Sequence, residues 1–248
     1  MEILKNIGHF ASFCVDVGVR ALTGRFSLHD LIRHLAKVLT RCLLPVAAMV
    51  FPFGMVIALQ GLSIFETYGA QRLLASLASV AIIRELSPVL ASVLVAAQGG
   101  SACAAELGAM RIKEELDATE VMGVDPLSVH VVPRVLAMTI ACPVLNLFGT
   151  VSGLLGAYVT AVILKGENGG VFLSQLFSFT MPFDLIAAVI KTTVFGVIIG
   201  MVAAYLGFHA RGGAAGVGRA VNQTVVRSTL LFITANYFLT SALFGTIS

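Results

Sequence analysis

Hydrophobic residues along the chain are gathered into long stretches that contain few or no charged positions. A transmembrane helix needs about 20 consecutive, mainly apolar residues, and five stretches reach that length. The predicted spans cover approximately residues 43–65, 76–105, 131–164, 183–208 and 228–247. The pattern therefore predicts an all-α integral membrane protein with five transmembrane helices.

Residues 1–41 carry a different pattern, in which apolar residues recur at helical spacing beside basic ones. The apolar positions are Ile3, Leu4, Ile7, Phe10, Phe13 and Val17, then Leu28, Leu31, Ile32 and Leu35. This spacing is typical of an amphipathic helix that lies in the inner membrane interface. The alternative is a soluble cytoplasmic extension. We therefore divide the chain into an interfacial region, residues 1–41, and a membrane domain, residues 42–248.

Composition agrees with burial in lipid. Of the 248 residues, 58% are hydrophobic and 12% are charged, whereas a soluble domain carries about 25% charged residues. The chain has too little polar side chain to cover a globule in water. Its formal charge of +3 is too small to indicate a nucleic-acid partner.

Basic residues are distributed unevenly among the segments between the predicted spans. Six precede the first span, three lie between the second and third, and three lie between the fourth and fifth. The opposite side receives only Arg72 and Lys165. Because cytoplasmic loops carry the excess of Lys and Arg, we expect a cytoplasmic N-terminus and an extracytoplasmic C-terminus.

Several catalytic patterns are absent from the sequence. No GxxxxGK[ST] motif occurs, so the chain has no ATP phosphate cradle of its own. Ser101 could act as an intramembrane nucleophile, but no histidine falls inside a predicted span to serve as its base. The four cysteines have no metal-ligand spacing. We therefore expect no catalytic residue, no metal site and no cofactor in this chain.

Small residues recur four positions apart in three of the predicted spans. They are Gly100, Ala104 and Gly108 in the second, Gly149 and Gly153 in the third, and Gly196 and Gly200 in the fourth. Such spacing lets helix backbones approach closely in a membrane. We expect most of these positions to serve packing.

Arg84 and Glu85 are charged residues inside the second predicted span. A charge at membrane depth is costly unless it is paired or faces a wet cavity, so both are functional candidates. Adjacent helix residues do not face each other, so at least one needs a partner elsewhere. Lys191, inside the fourth span, could pair with Glu85. Asp184 is assigned to the outer interface, because an acid suits the first turn of a helix.

An alternative for Arg84 and Glu85 is that the second span begins after residue 85. The pair would then cap the helix on the outer side, and neither residue would have a role inside the membrane.

The connection from residue 106 to residue 126 is net acidic, while the other predicted cytoplasmic segments are basic. Its acids alternate with apolar residues in a helix predicted over about residues 107–123, which Gly123 ends before Asp125-Pro126. This pattern favours a docking helix for a partner with a basic groove. A solvated surface loop is the alternative.

These residues also carry a family resemblance. The segments concerned are 59–61 with Tyr68, 84–90 (Arg84-Glu85-Leu-Ser-Pro88-Val-Leu), 100–110, 115–126, 212–218 and 236–240. Together they resemble the MlaE permease family of ABC-type lipid transporters. The resemblance covers approximately residues 45–245.

The resemblance implies the membrane subunit of an ATP-driven transporter of lipid, with phospholipid favoured, in the bacterial inner membrane. Two copies would form a homodimer around a lipid cavity, and separate ABC ATPase subunits would bind ATP and magnesium. An MCE-domain protein would be a further partner, and a STAS-domain protein a possible one. The implied cavity residues are Gln60, Tyr68, Arg84, Glu85 and Lys191. The implied ATPase-coupling residues are Glu114, Glu115, Asp117, Glu120, Val121, Met122 and Gly123.

Two positions depart from the family pattern. Gln98 stands where relatives often carry Arg, and Asn236 stands where they often carry Asp. Both departures remove a charge from the membrane region. Three other functions stay open. One is an ion-coupled secondary transporter that uses Arg84, Glu85 and Lys191 as a relay. The others are a fatty-acid or sterol importer of the same family and a structural scaffold for a ring of MCE-domain proteins.

Overall fold

The structure is a computed structural model that describes residues 2–24, 26–70 and 73–245, with side chains from residue 8 onward within those ranges. Arg25 and Arg72, which entered the orientation argument, lie outside the described residues. So do the side chains of Ile3, Leu4, Lys5 and Ile7 and the end of the fifth predicted span. Within the described ranges the chain is helical and contains no strand, which confirms the all-α prediction.

Eight helices make up most of the described chain. They are α1 (Glu2–Leu22), α2 (Leu28–Thr67), α3 (Leu74–Ile112), α4 (Glu115–Val121), α5 (Leu127–Leu164), α6 (Gly169–Phe179), α7 (Pro182–Phe208) and α8 (Gly213–Phe244). Helix α3 contains π-helical turns at Ile82–Leu86 and Ala96–Gly100. Helix α5 begins and ends with such turns.

Four of the described helices, α2, α3, α5 and α7, are long and apolar enough to cross a membrane. They contain the first four predicted spans. Helix α8, which holds most of the fifth predicted span, is not among the four, so the fifth crossing stays a prediction. At about 1.5 Å per residue, the 40 residues of α2 extend well beyond a hydrocarbon core of about 30 Å.

Two predicted boundaries differ from the structure. The division after residue 41 falls inside α2, which continues through Pro45 and Pro52. The helix predicted over residues 107–123 is interrupted: α3 ends at Ile112, Glu114 has a φ of 59°, and α4 follows. Neither Gly nor Pro marks this break, so the sequence pattern gave no stop signal there. The predicted stop at Gly123 is confirmed, because its φ of 76° lies in the left-handed region.

The described chain forms two compact units. The first draws on Met1–Thr40, Val95–Ala141 and Val194–Ala235. The second draws on Arg41–Leu94, Cys142–Thr193 and Asn236–Ser248.

In the first unit, glycines bring α3, α5 and α7 close together, and the backbones of α5 and α7 are in direct contact. A Cβ added at Gly196 would lie 2.7 Å from the carbonyl oxygen of Met138, and one at Gly200 would lie 3.1 Å from the Cα of Val135. At Gly100 the added atom would meet Ile199 at 3.2 Å. The predicted packing role of these small residues is therefore confirmed.

Helix α1 packs on the same unit through one face. Phe13 and Val17 are buried, and the rings of Phe10 and Phe13 meet that of Tyr205 edge to face, at 5.2 and 5.5 Å between centroids. Leu22 and other apolar side chains of α1 remain exposed. The predicted helix is confirmed, and its place in the membrane interface stays a prediction.

In the second unit, α2 and α5 also pack backbone to backbone. A Cβ on Gly54 would lie 2.0 Å from the carbonyl oxygen of Gly153, and one on Gly156 would lie 2.1 Å from that of Phe51. Beside this contact, an apolar core forms among α2, α3, α5 and α6. Its buried members include Ala58, Leu62, Leu74, Ala78, Ile82, Ala157, Ala161, Phe172 and Leu176. The described members of this core include no charged residue, so the charged side chains of α3 and α7 lie outside it.

Candidate functional site

The side chain of Lys191, on α7 in the second unit, is completely buried. Its ammonium group donates three hydrogen bonds: to the carbonyl oxygen of Arg84 at 2.8 Å, to Glu85 Oε1 at 3.0 Å and to Thr240 Oγ1 at 2.8 Å. An ammonium has three N–H donors, so all of them are used. The predicted pairing of Lys191 with Glu85 is confirmed.

The backbone of α3 explains why an acceptor is available to Lys191. In an α-helix the carbonyl of Arg84 would accept from the N–H of residue 88, but residue 88 is Pro and has no N–H. The chain forms a π-helical turn at Ile82–Leu86, just before this proline. Lys191 donates to this carbonyl and so lessens the cost of a polar backbone group among apolar helices.

Glu85 is held from α8 as well as from α7. The hydroxyl of Thr240 donates to Oε1 at 2.9 Å, and the amide nitrogen of Asn236 donates to Oε2 at 2.9 Å. Both carboxylate oxygens therefore have donors, although the side chain is 40% exposed.

Arg84 has its own partner of opposite charge. Its Nη2 lies 3.0 Å from Oδ1 of Asp184, whose side chain is buried, and its guanidinium lies 4.4 Å from the ring centroid of Phe244. Asp184 also accepts from the backbone N–H of Met181, at the start of α7. Asp184 is in the first turn, as predicted, but the sequence did not predict its contact with Arg84. We call Arg84, Glu85, Asp184, Lys191, Asn236 and Thr240 the charged cluster.

The structure brings together three of the five predicted cavity residues. Helix α3 begins at Leu74, so Arg84 and Glu85 lie within the helix and not at its first residues. Where the membrane begins along α3 stays a prediction. Gln60 and Tyr68 are exposed, and Tyr68 lies just beyond the end of α2. Among the described residues, no hydrogen bond or ion pair joins either of them to the charged cluster.

The charged cluster offers groups that can bind a polar ligand. Its two cations and two carboxylates form two ion pairs. Arg84, with 29% of its side chain exposed, and Glu85 present charge at the surface of largely apolar helices. A guanidinium suits a phosphate or carboxylate group. Among the described residues, no three His, Cys, Asp or Glu side chains are grouped to hold a metal.

A second candidate surface is formed by α4 in the first unit. Leu116 is buried and anchors the helix, while Val121 and Met122 at its end are 89% and 72% exposed. Glu114, Glu115 and Glu120 are exposed beside them. Asp117 forms an ion pair with Arg111. The predicted acidic and apolar residues therefore do share a surface.

Helix α1 is tied to the turn that follows α4. Asp125 accepts a hydrogen bond from Arg20 Nε at 2.5 Å and one from Ser128 Oγ at 2.6 Å. Partial burial raises the pKa of Asp125. The hydrogen bonds from Ser128 and Arg20 lower the pKa by more than burial raises it, so the pKa lies below the ordinary value. The carboxylate is thus charged at neutral pH and links α1 to the start of α5. The sequence did not indicate this contact.

The chain is similar in sequence to permeases over most of its length. A sequence model of the family described as Permease MlaE matches residues 31–242. A probable ABC transporter permease protein of Rickettsia prowazekii is 35% identical over 255 residues, covering 98% of each chain. Another, from Synechocystis, is 38% identical over 191 residues, covering 77% of this chain and 73% of that protein.

A further relative is the intermembrane phospholipid transport system permease protein MlaE of Haemophilus influenzae. It is 33% identical over 193 residues, which cover 77% of this chain and 74% of that protein.

Proposed function

The chain belongs to the MlaE permease family, as its motifs predicted, and from this membership we propose that it is the membrane subunit of an ATP-driven ABC-type lipid transporter. The similarity to a phospholipid transport permease favours phospholipid as the cargo. The chain itself would be a transport subunit without enzymatic activity. Separate ABC ATPase subunits would bind ATP and magnesium.

The proposed topology has five membrane crossings in a bacterial inner membrane. The four apolar helices supply four crossings, and α8, whose last residues from 228 onward carry no charge, supplies the fifth. The excess of basic residues supports a cytoplasmic N-terminus and an extracytoplasmic C-terminus. Helix α1 would lie in the inner interface, since it keeps apolar side chains exposed.

The charged cluster is the proposed polar end of the lipid site. Arg84 and Glu85 would contact the headgroup, and Lys191 would hold Glu85 in position from behind. Gln60 and Tyr68 would line the same cavity where two copies of the chain meet. A homodimer is expected because five helices are too few to enclose a lipid with two acyl chains.

The observation that carries the proposal is the surface of α4. Val121 and Met122 are exposed apolar side chains beside exposed carboxylates, on a short helix anchored by Leu116. Exposed apolar residues rimmed by charge mark an interaction site, and the carboxylates would complement a basic groove. The coupling residues proposed from the sequence all lie on α4 or directly beside it.

The mechanism would couple closure of the ATPases to the shape of the lipid cavity. ATP binding would displace α4, and the dimer cavity would open or collapse as the helices changed position. An MCE-domain protein would exchange lipid with the cavity on the outer side. A STAS-domain protein would complete the cytoplasmic assembly.

The docking role is tested by reversing one charge. Glu120→Lys should reduce co-purification of the ATPase subunit, because Glu120 lies beside the apolar end of α4. The matched control is Glu66→Lys, which makes the same change at an exposed acid on the predicted outer side. Equal ATPase recovery with both variants would contradict the docking role of α4.

Transport by the reconstituted complex tests the class of transporter. Lipid movement should require the ATPase subunit and ATP, and Arg84→Ala should lower the amount of co-purified lipid while the complex stays intact. Movement driven by a pH gradient without the ATPase would instead favour the ion-coupled alternative.

A further inference from the structure

A polar pocket of about 320 Å³ lies in the first unit, among the start of α2, the end of α3 and the start of α5. Its volume is at the lower end of the range of small-ligand sites. The lining residues are Asp30, Arg33, His34, Lys37, Glu106, Met110, Val129, His130 and Arg134. We call it the basic pocket. It lies in the other unit from the charged cluster, and none of its residues belongs to the α4 surface.

The charges of the basic pocket favour an anion. Three cations, Arg33, Lys37 and Arg134, face two carboxylates, Asp30 and Glu106, which leaves a net formal charge of +1 with both histidines neutral. Asp30, Arg33, His34 and Lys37 recur at helical spacing, so one face of α2 supplies four of the lining residues.

The ion pairs of the pocket leave donor capacity unused. Glu106 lies 3.6 Å from the ammonium of Lys37 and 3.4 Å from Nη2 of Arg134, so one carboxylate serves two cations at long distances. The side chain of Arg134 is only 11% exposed, and its Nε has no hydrogen-bond partner among the described residues. A buried donor without a partner is costly, and a bound group with acceptor oxygens would remove that cost.

Arg33 adds an exposed guanidinium at the edge of the pocket. A guanidinium can bind two oxygens of a tetrahedral anion at once. With Lys37 and Arg134, three cations would then surround one group that carries several acceptor oxygens. Phosphate chemistry fits this donor set better than a single carboxylate does.

We propose that the basic pocket binds a phosphate group, with a phospholipid of the cytoplasmic leaflet as its source. The assignment to a lipid rests on the proposed topology, which places residues 28–41 at the level of the inner headgroups. Leu28 and Ile32, on the same segment of α2, are exposed apolar side chains that could lie along acyl chains. The bound phosphate would fix the start of α2 against α3 and α5.

The test measures lipid binding by the full-length protein in detergent, by native mass spectrometry. The probes are dioleoyl phosphatidylglycerol and, as a ligand without phosphate, dioleoylglycerol. The variant Arg33→Gln/Lys37→Gln removes two cations from the pocket at partly or fully exposed positions, which favours a folded product. The control Arg41→Gln/Lys113→Gln removes the same charge from cations outside the pocket.

The pocket variant should weaken phosphatidylglycerol binding by at least about tenfold, because it removes two charged hydrogen-bond donors from the phosphate group. The control variant and dioleoylglycerol binding should change little. An equal loss in both variants would show general surface electrostatics and overturn the proposal. No change in the pocket variant would overturn it as well.

Two further measurements distinguish a lipid phosphate from free phosphate, and the basic pocket from the charged cluster. Displacement of the lipid by inorganic phosphate would support the phosphate chemistry and make free phosphate an alternative source, whereas resistance would support the lipid source. Binding that is lost in Arg84→Ala but kept in the pocket variant would assign the lipid to the charged cluster and overturn the basic pocket alone. Neither arm needs the ATPase, so failure here leaves the transport proposal standing.

Discussion

The pairing of Lys191 with Glu85 can be tested by removing each partner alone and both together. Glu85→Ala leaves an ammonium group that is completely buried, with only Thr240 and the carbonyl of Arg84 as acceptors. Lys191→Met leaves a carboxylate that is 40% exposed and still accepts from Asn236 and Thr240. Glu85→Ala should therefore destabilise the protein more than Lys191→Met does.

Burial sets the expected magnitudes. Removing one partner of a buried pair costs about 3–5 kcal/mol, and Glu85→Ala should fall in this range because Lys191 has no contact with solvent. Lys191→Met should cost less, about 1–3 kcal/mol, mainly for the carbonyl and hydroxyl left without a donor. In the double variant no unpaired charge remains, so its cost should fall below the sum of the singles by about 1–3 kcal/mol.

The assay is unfolding of the detergent-solubilised protein by sodium dodecyl sulfate, followed by circular dichroism because the chain has no tryptophan. Retention of helix content at low denaturant would show that each variant folds. Additive losses in the double variant would refute a direct interaction between the two side chains. A larger loss for Lys191→Met than for Glu85→Ala would refute the argument from burial.

Three further predictions use other contacts. Gly196→Ala should lower the unfolding midpoint, because its Cβ would lie 2.7 Å from a backbone oxygen, whereas Gly218→Ala, with open space around it, should not. Arg20→Ala should increase hydrogen exchange in α1. Because the folded-state pKa of Asp125 is lowered, the stability that this carboxylate provides should be present at neutral pH and be lost as pH falls through its folded-state value; acidification should therefore loosen α1 in the wild type more than in Arg20→Ala. Asn236→Asp should destabilise the protein more than Asn236→Ala, because it sets a second carboxylate against Glu85; equal midpoints would count against that contact.

The sequence predicted the helical class, the first four apolar spans and the end of α4 at Gly123. These features depend on local signals, namely long uncharged stretches and a glycine followed by Asp-Pro. The break at Glu114 has no such signal: a non-glycine residue there adopts a φ of 59°, and no glycine or proline lies between Ala109 and Met122. Leu116, just after the break, is buried by contacts with residues distant in the sequence. Hydrophobic periodicity does not predict such contacts.

The sequence predicted only part of the charged cluster, because the signal for it is also local. The cost of a charge in lipid selected Arg84, Glu85 and Lys191 one at a time, but it could not tell which carboxylate Arg84 contacts. The position of Asp184 in the first turn of α7 is favourable for an acid by itself, so the sequence does not indicate that Asp184 also pairs with Arg84. Thr240 is a neutral hydroxyl on α8, a residue type that composition gives no reason to single out.

Accounting for backbone hydrogen bonds would have extended the prediction. Pro88 follows Arg84 by four residues, so the carbonyl of Arg84 must lack its α-helical donor, whatever the rest of the fold. In a membrane helix such an oxygen is satisfied by a local π turn, by a nearby hydroxyl or by a donor from another helix, and Lys191 is the only lysine within the predicted spans. The same lysine satisfies the carbonyl and neutralises Glu85, one residue further along. The position of Pro88 therefore adds a second reason, besides charge burial, for the predicted pairing of Lys191 with the segment of α3 that carries Glu85.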